Sequence, residues 1–147
     1  MSVLVLLIED DAHLKIAHKI RHDVFVIEQH VPVRDELDSY EIDSRHFLAI
    51  DSHGNPCGAA RWRFAGHGVK LERFAVLKEY RKMGIGSALV SAVMEDIKNH
   101  EGYRGQIIYL HAQLDAIPLY KKFGFRITGG MFEECDIKHY KMILEYV

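Results

Sequence analysis

The sequence predicts an α/β fold: one domain over residues 1–147, with a central sheet flanked by helices. Three observations carry this. A chain of 147 residues lies in the size range of one domain with a real core. Short apolar runs of strand character alternate with segments of helical spacing. No internal repeat, low-complexity tract or Pro/Ser-rich linker divides the chain.

Val3 to Ile8, "VLVLLI", reads as a buried strand. Asp10 or Asp11 can then cap a helix whose apolar residues Ile16, Ile20, Val24 and Ile27 recur near helical spacing. "VPVRDELDSYEIDSR" is polar and acidic, a long loop or a broken helix. "HFLAI", "CGAARWRFA" and "VKLERFAVL", separated by the turn signals "DSHGNP" and "GHG", are three strands of an antiparallel meander. Ile85, Leu89, Val93 and Ile97 stand four apart and mark one apolar face of a helix from Gly84 to about Asn99. "QIIYLHA" is a strand, "LDAIPLYKKF" a short helix with Pro118 near its first turn, "GFRIT" a strand and "HYKMILEYV" the closing strand.

Composition narrows the function. The chain is 48% hydrophobic and 27% charged with a formal charge of −2, which gives no footprint for nucleic acid. Its longest apolar run is too short to span a bilayer and follows no basic segment, so a cytoplasmic protein is expected. Cys57 and Cys135 lack metal or redox-pair spacing and read as reduced, structural thiols. His18 and His22 stand four apart on a helix, but no glutamate follows the first in the protease pattern, and no metal is expected. The aromatics of "RWRF" alternate as strand core rather than as a stacking platform for bases.

The chemistry concentrates in "YRKMGIGSALV", Tyr80 to Val90. Two glycines one residue apart, beside Arg81 and Lys82, open a helix. Backbone N–H groups at a helix start have no intrahelical acceptor and the helix dipole adds partial positive charge, so the turn suits phosphate or pyrophosphate. The dinucleotide fingerprint needs a small residue where this chain has Leu89, and the nucleotide P-loop needs a Gly-Lys-Ser/Thr end that is absent.

"LERFAVLKEYRKMGIGSALV", followed about thirty residues later by "LHAQLDAIPLYKKFGF", resembles the GCN5-related N-acetyltransferase (GNAT) family over nearly the whole chain. The strand, the Arg-x-x-Gly-x-Gly turn and the Ala-x-x-x-Tyr-x-x-x-Gly-Phe run from Ala116 to Phe125 occur in family order. The resemblance implies the GNAT fold, a mixed, mostly antiparallel sheet in which parallel strands 4 and 5 splay apart around acetyl-CoA. It implies pyrophosphate contacts along Arg81, Lys82, Met83, Gly84, Ile85 and Gly86. Phe74, Ala75 and Val76 would pair their backbone with the pantetheine arm, and a backbone N–H there would stabilise an oxyanion. Gln113 would touch the cofactor, and Tyr120 would protonate the departing thiolate.

His139, before the last strand, resembles the histidine base of the glyphosate-acetyltransferase-like branch, although Lys138 replaces that branch's proline. In the same branch, arginines that hold an anionic substrate match Arg21 and Arg73, whereas His111 replaces a third. Two guanidiniums in one cleft would bind carboxylate or phosphate. "RHDVFVIEQHV", Arg21 to Val31, resembles a segment that covers the acceptor site. Within it Glu28 is a second acid or base candidate, better read as solvated or salt-bridged. The acids Asp35, Glu36, Asp38, Glu41 and Asp43 could attract a polyamine or a lysine-rich peptide, but a solvated loop is the default.

The expected activity is transfer of acetyl from acetyl-CoA, the only cosubstrate, to a primary amine of a small molecule such as an amino acid or amino-sugar phosphate, in a ternary complex. The alternatives are a non-catalytic acyl-CoA-binding module and a protein or peptide N-acetyltransferase. A homodimer is possible, as relatives are often dimers.

Overall fold

A computed structural model describes residues 2–145. Its elements follow the predicted order: β1 (Val3–Leu7), α1 (Asp11–Arg21), a π-helical stretch (His22–Glu28), α2 (Val33–Glu36), β2 (Arg45–Asp51), β3 (Pro56–Ala65), β4 (Gly68–Val76), α3 (Ile85–Asn99), β5 (Ile107–Gln113), α4 (Ile117–Lys121), β6 (Phe125–Glu134) and β7 (Ile137–Leu144). The last two residues of the predicted closing strand lie outside the described residues.

One seven-stranded sheet runs β1-β2-β3-β4-β5-β7-β6. Every neighbouring pair is antiparallel except β4 and β5, which are parallel because α3 crosses between them. Strands β2 and β3 are buried on both faces, and the period of two along them sorts side chains between the faces. Phe47, Ala49 and Ala60 pack with Ile85, Leu89, Val93 and Ile97 of α3. Leu48 and Ala59 point the other way and pack with Ala17, Ile20 and Val24. This gives a three-layer α/β/α sandwich.

Asp10 caps α1 as predicted, its carboxylate accepting the His13 N–H at 2.8 Å. The helix does not continue regularly to Ile27. From His22 it widens into π geometry, which rotates the following residues around the axis: Val24 and Phe25 are buried while Ile27 is 61% exposed. Trp62 is core, as its alternation predicts, with its indole N–H donated to Asp96 at 2.8 Å. β6 is twice as long as its first predicted stretch, because the Gly129-Gly130 pair sits in an irregular step of the β6–β7 ladder instead of ending the strand.

Candidate active site

β4 and β5 pair only from Gly68 opposite Ile107 to Leu71 opposite Leu110. Beyond that point they diverge. The cause lies in β4, where two residues, Arg73 and Phe74, oppose the single residue Ala60 of β3. Arg73 takes a φ of +59° in this bulge, which bends and twists the strand away from its parallel neighbour. Leu77 donates its N–H to the Cys57 carbonyl at 3.0 Å on the β3 side. Strand alternation then turns Ala75 the same way and sends the backbone of Phe74 and Val76 to the open edge. Ala75 itself is buried, its side chain in the core.

The glycine turn stands at the wide end of this opening. Lys82 and Gly84 both have positive φ, +64° and +84°, and Gly84 is the N-cap of α3. No side chain caps the helix and no acid stands in its first turn, so its leading N–H groups are offered to an outside acceptor. A β-carbon on Gly86 would come within 3.1 Å of Leu119, so glycine lets the helix start approach α4 closely. The turn borders a cavity of about 550 Å³, also lined by Val76, Ile85 and Lys122. Met83 instead turns to solvent, 46% exposed.

Arg81 meets the turn differently from the expectation. Its Nε donates to the Val76 carbonyl and its two terminal nitrogens form a fork with Glu28 at 2.7 and 3.0 Å. Glu28 is therefore a salt-bridge partner here. Lys122 was not foreseen; its ammonium lies 3.0 Å from the Ser87 hydroxyl, beside the first turn of α3. The signal was its place two residues after Tyr120. Uncapped helix N–H groups with Arg81, Lys82 and Lys122 beside them form a donor set that fits a pyrophosphate, and the outward backbone of Phe74 and Val76 fits the pantetheine arm.

A second cavity, about 210 Å³, occupies the narrow end of the divergence and includes Arg73, His111, Glu134 and His139 in its wall. The two cavities share Gln29, Phe74, Gln113, Ala116 and Tyr120. Gln29 and Gln113 exchange amide hydrogen bonds at 2.9 and 3.3 Å, tying the end of the π-helical stretch to β5. Gln113, expected at the cofactor, stands in the wall of both cavities, and its partner Gln29 had no sequence signal beyond its position in the covering segment.

Tyr120 is 6% exposed, and burial pushes its phenol well above the usual range. His139, opposite Gln113 in the β5–β7 ladder, is 9% exposed. Its Nδ1 lies 2.7 Å from the Ile137 carbonyl. A carbonyl only accepts, so Nδ1 carries the proton and the neutral ring keeps its lone pair on Nε2. His111 binds Glu134 through Nδ1 at 2.6 Å and meets Phe132 edge-on, while Phe132 stacks on His139.

The two arginines expected to converge on an anion do not. Arg21 is 1% exposed; it binds Glu36 at 2.6 and 3.0 Å and Glu41 at 2.9 Å, and its Nη2 group shares its protons with the Glu36 carbonyl at 3.2 Å. Its position on α1 above the loop at 33–44 makes it a structural ion-pair residue. Arg73 does reach the cavity, but Glu36, Asp38 and the Asp35 carbonyl take its Nε and Nη2 protons. Nor is the acidic loop solvated throughout: Glu36, Asp38 and Glu41 are paired with arginines, while Asp35 and Asp43 stay exposed without one among the described residues. Arg61, fully buried, binds Asp38, Glu41 and Glu72. Burial alone would raise Glu41 and Glu72; Arg21, His18 and Arg61 bring Glu41 to about 2, and Arg63, Arg61 and Lys70 bring Glu72 to about 2. No sequence pattern announces this network, because its arginine–carboxylate pairs lie 9 to 37 residues apart.

A splayed parallel pair with an uncapped glycine turn at one end and a histidine and a tyrosine at the other defines a class. The family model for the acetyltransferase (GNAT) domain matches residues 13–146, and the chain belongs to that family as an acetyl-CoA-dependent acetyltransferase. The uncharacterized N-acetyltransferase YjcF of Bacillus subtilis is 38% identical over 136 residues, 92% of this chain and 94% of its own. The crystal structure of Escherichia coli ElaA superposes with a TM-score of 0.83 at 25% identity, covering 98% of this chain and 99% of that one. A Bacillus subtilis acetyltransferase crystallised in complex with CoA has a TM-score of 0.72 at 19% identity, over 99% of this chain and 100% of its own, and shares the fold. Among the described residues no helix is long and apolar enough to cross a membrane.

Proposed function

We propose that the chain, as one domain, moves acetyl from acetyl-CoA directly to the primary amine of a small molecule, with both bound at once. The observation that carries this is the meeting of the two cavities at Tyr120, Phe74 and Gln113. The inner cavity, about 210 Å³, is smaller than the sites of drug-sized ligands, which favours a small acceptor.

Acetyl-CoA, when bound, supplies the acetyl group as a thioester. The turn from Arg81 to Gly86 holds its pyrophosphate, assisted by Lys122, and the open edge at Phe74 and Val76 holds the arm. His139 Nε2 takes a proton from the acceptor ammonium and frees the nitrogen lone pair. The new N–C bond forms as the C–S bond breaks, and a backbone N–H at the open edge steadies the negative charge on the carbonyl oxygen. Tyr120 Oη gives its proton to the departing sulfur and recovers one from the acylated nitrogen, which must shed its second proton to become the amide. Burial keeps that phenol protonated at neutral pH but makes it a weaker acid than an exposed one. The same apolar setting also raises the proton affinity of a thiolate, so the two remain matched.

The anionic acceptor of the glyphosate-acetyltransferase-like branch loses support here, because Arg21 is turned away and Arg73 is already paired. The test is thiol release from acetyl-CoA with a panel of amines, alongside CoA binding by calorimetry, in wild type, Tyr120→Phe and His139→Ala. Turnover that both substitutions depress while CoA still binds supports the roles given. CoA binding with no amine turned over would point to a non-catalytic acyl-CoA-binding module.

A further inference from the structure

The inner cavity has a buried end and an exposed mouth. Tyr120 and His139 stand at the buried end, both more than nine-tenths buried, and neither Tyr120 Oη nor His139 Nε2 has a hydrogen-bond partner among the described residues. Asp35, Glu134 and Cys135 stand at the mouth and are exposed. Among the described residues no fully buried side-chain nitrogen or oxygen lacks a partner, so both of these atoms open onto the cavity, where a bound ligand can meet them.

The charges around this space are unevenly neutralised. Lys70 is 3.2 Å from Glu72, and Arg73 is 3.0 Å from both Glu36 and Asp38, so each cation on the wall already has a carboxylate. Asp35 has no lysine or arginine partner among the described residues; its carboxylate meets the Cys135 thiol at 3.9 Å. Glu134, next in sequence to Cys135, binds His111 through one oxygen and leaves the other open. Asp35, Glu134 and Cys135 line the same cavity; partial burial pushes the thiol up, and Asp35 and Glu134 push it further against an opposing pull from Arg73.

Resting on the acetyltransferase reading, we propose that the acceptor is a small amine with a second positive charge, the reacting nitrogen at His139 and Tyr120 and the second ammonium between Asp35 and Glu134. A carboxylate or phosphate in the same position would face Asp35 and Glu134 with no unpaired cation to meet it.

Three acceptors with the same carbon chain isolate the far end: 1,4-diaminobutane, butylamine and 4-aminobutanoate, repeated at five and six carbons, with kcat/KM measured for wild type, Asp35→Asn and Glu134→Gln. The expected order is diamine above butylamine by about tenfold, one ion-pair's worth of discrimination, with the amino acid lowest. Each substitution should lower the ratio of diamine to butylamine toward one, and the double substitution should lower it furthest. The proposal is overturned if the amino acid leads the series, or if the diamine preference survives both substitutions. In those cases the acetyltransferase reading stands, since amines are still acetylated. If no member of the series is turned over while CoA binds, the proposal and the reading beneath it fall together.

Discussion

Replacing Arg21 by methionine separates a structural arginine from a substrate-binding one. The guanidinium is 1% exposed and its partner Glu36 only 4%, so the substitution removes one side of a buried ion pair. Breaking such a pair costs about 3–5 kcal/mol. The lower end applies, because Glu36 keeps Arg73 and Glu41 keeps Arg61 and His18. For a domain of this size 1 kcal/mol moves Tm by about 3 °C, so a loss of about 3 kcal/mol lowers Tm by about 10 °C. Thermal unfolding followed by circular dichroism reads this directly, and a urea titration should show the midpoint falling at constant m. Arg21→Met with Glu36→Met should recover part of the loss, since the orphaned charge goes too. A Tm within about 2 °C of wild type, together with a tenfold or larger rise in acceptor KM, would refute the assignment and return Arg21 to the substrate.

Further outcomes follow from the same geometry. His139→Ala should lower kcat/KM by about 10²–10⁴ while leaving CoA binding by calorimetry unchanged. Arg81→Ala should weaken CoA binding only about threefold to tenfold by calorimetry, since the helix N–H groups remain and the guanidinium must first leave Glu28. Acid should destabilise the fold: Glu41 and Glu72 have native pKa values of about 2, below their unfolded values, so the stability they confer is present above about pH 4.5 and is lost as pH falls toward 2. For Glu72, 8% exposed, that loss is about 3 kcal/mol, and Glu72→Gln should show a shallower fall of Tm between pH 5 and 3.

What could be read from sequence was local. The two periods placed the strands and α3, and the paired glycines placed an uncapped helix start, because each of these depends on neighbours within a few residues. The resemblance placed Tyr120 and His139 beside one cleft. Three kinds of information were not local. The insertion of β7 between β5 and β6 sets His139 opposite Gln113, and no spacing specifies that register. The bulge at Arg73 and Phe74 opens β4 from β5, yet neither residue type demands a positive φ. The arginine and carboxylate network links α1, the loop at 33–44, β3 and β4, so "VPVRDELDSYEIDSR" looks solvated until its partners are folded against it. That last point changes the chemistry, because it removes Arg21 from the cleft and leaves Asp35 and Glu134 at its mouth.

The central claim is that donor and acceptor occupy the joined cavities together and react without an acyl-enzyme. The most direct measurement is initial velocity with acetyl-CoA varied at several fixed amine concentrations. Lines that intersect in the double-reciprocal plot are the predicted result. Parallel lines would contradict the account and indicate an acetylated enzyme, with the Cys135 thiol at the cavity mouth the first place to look for it by mass spectrometry.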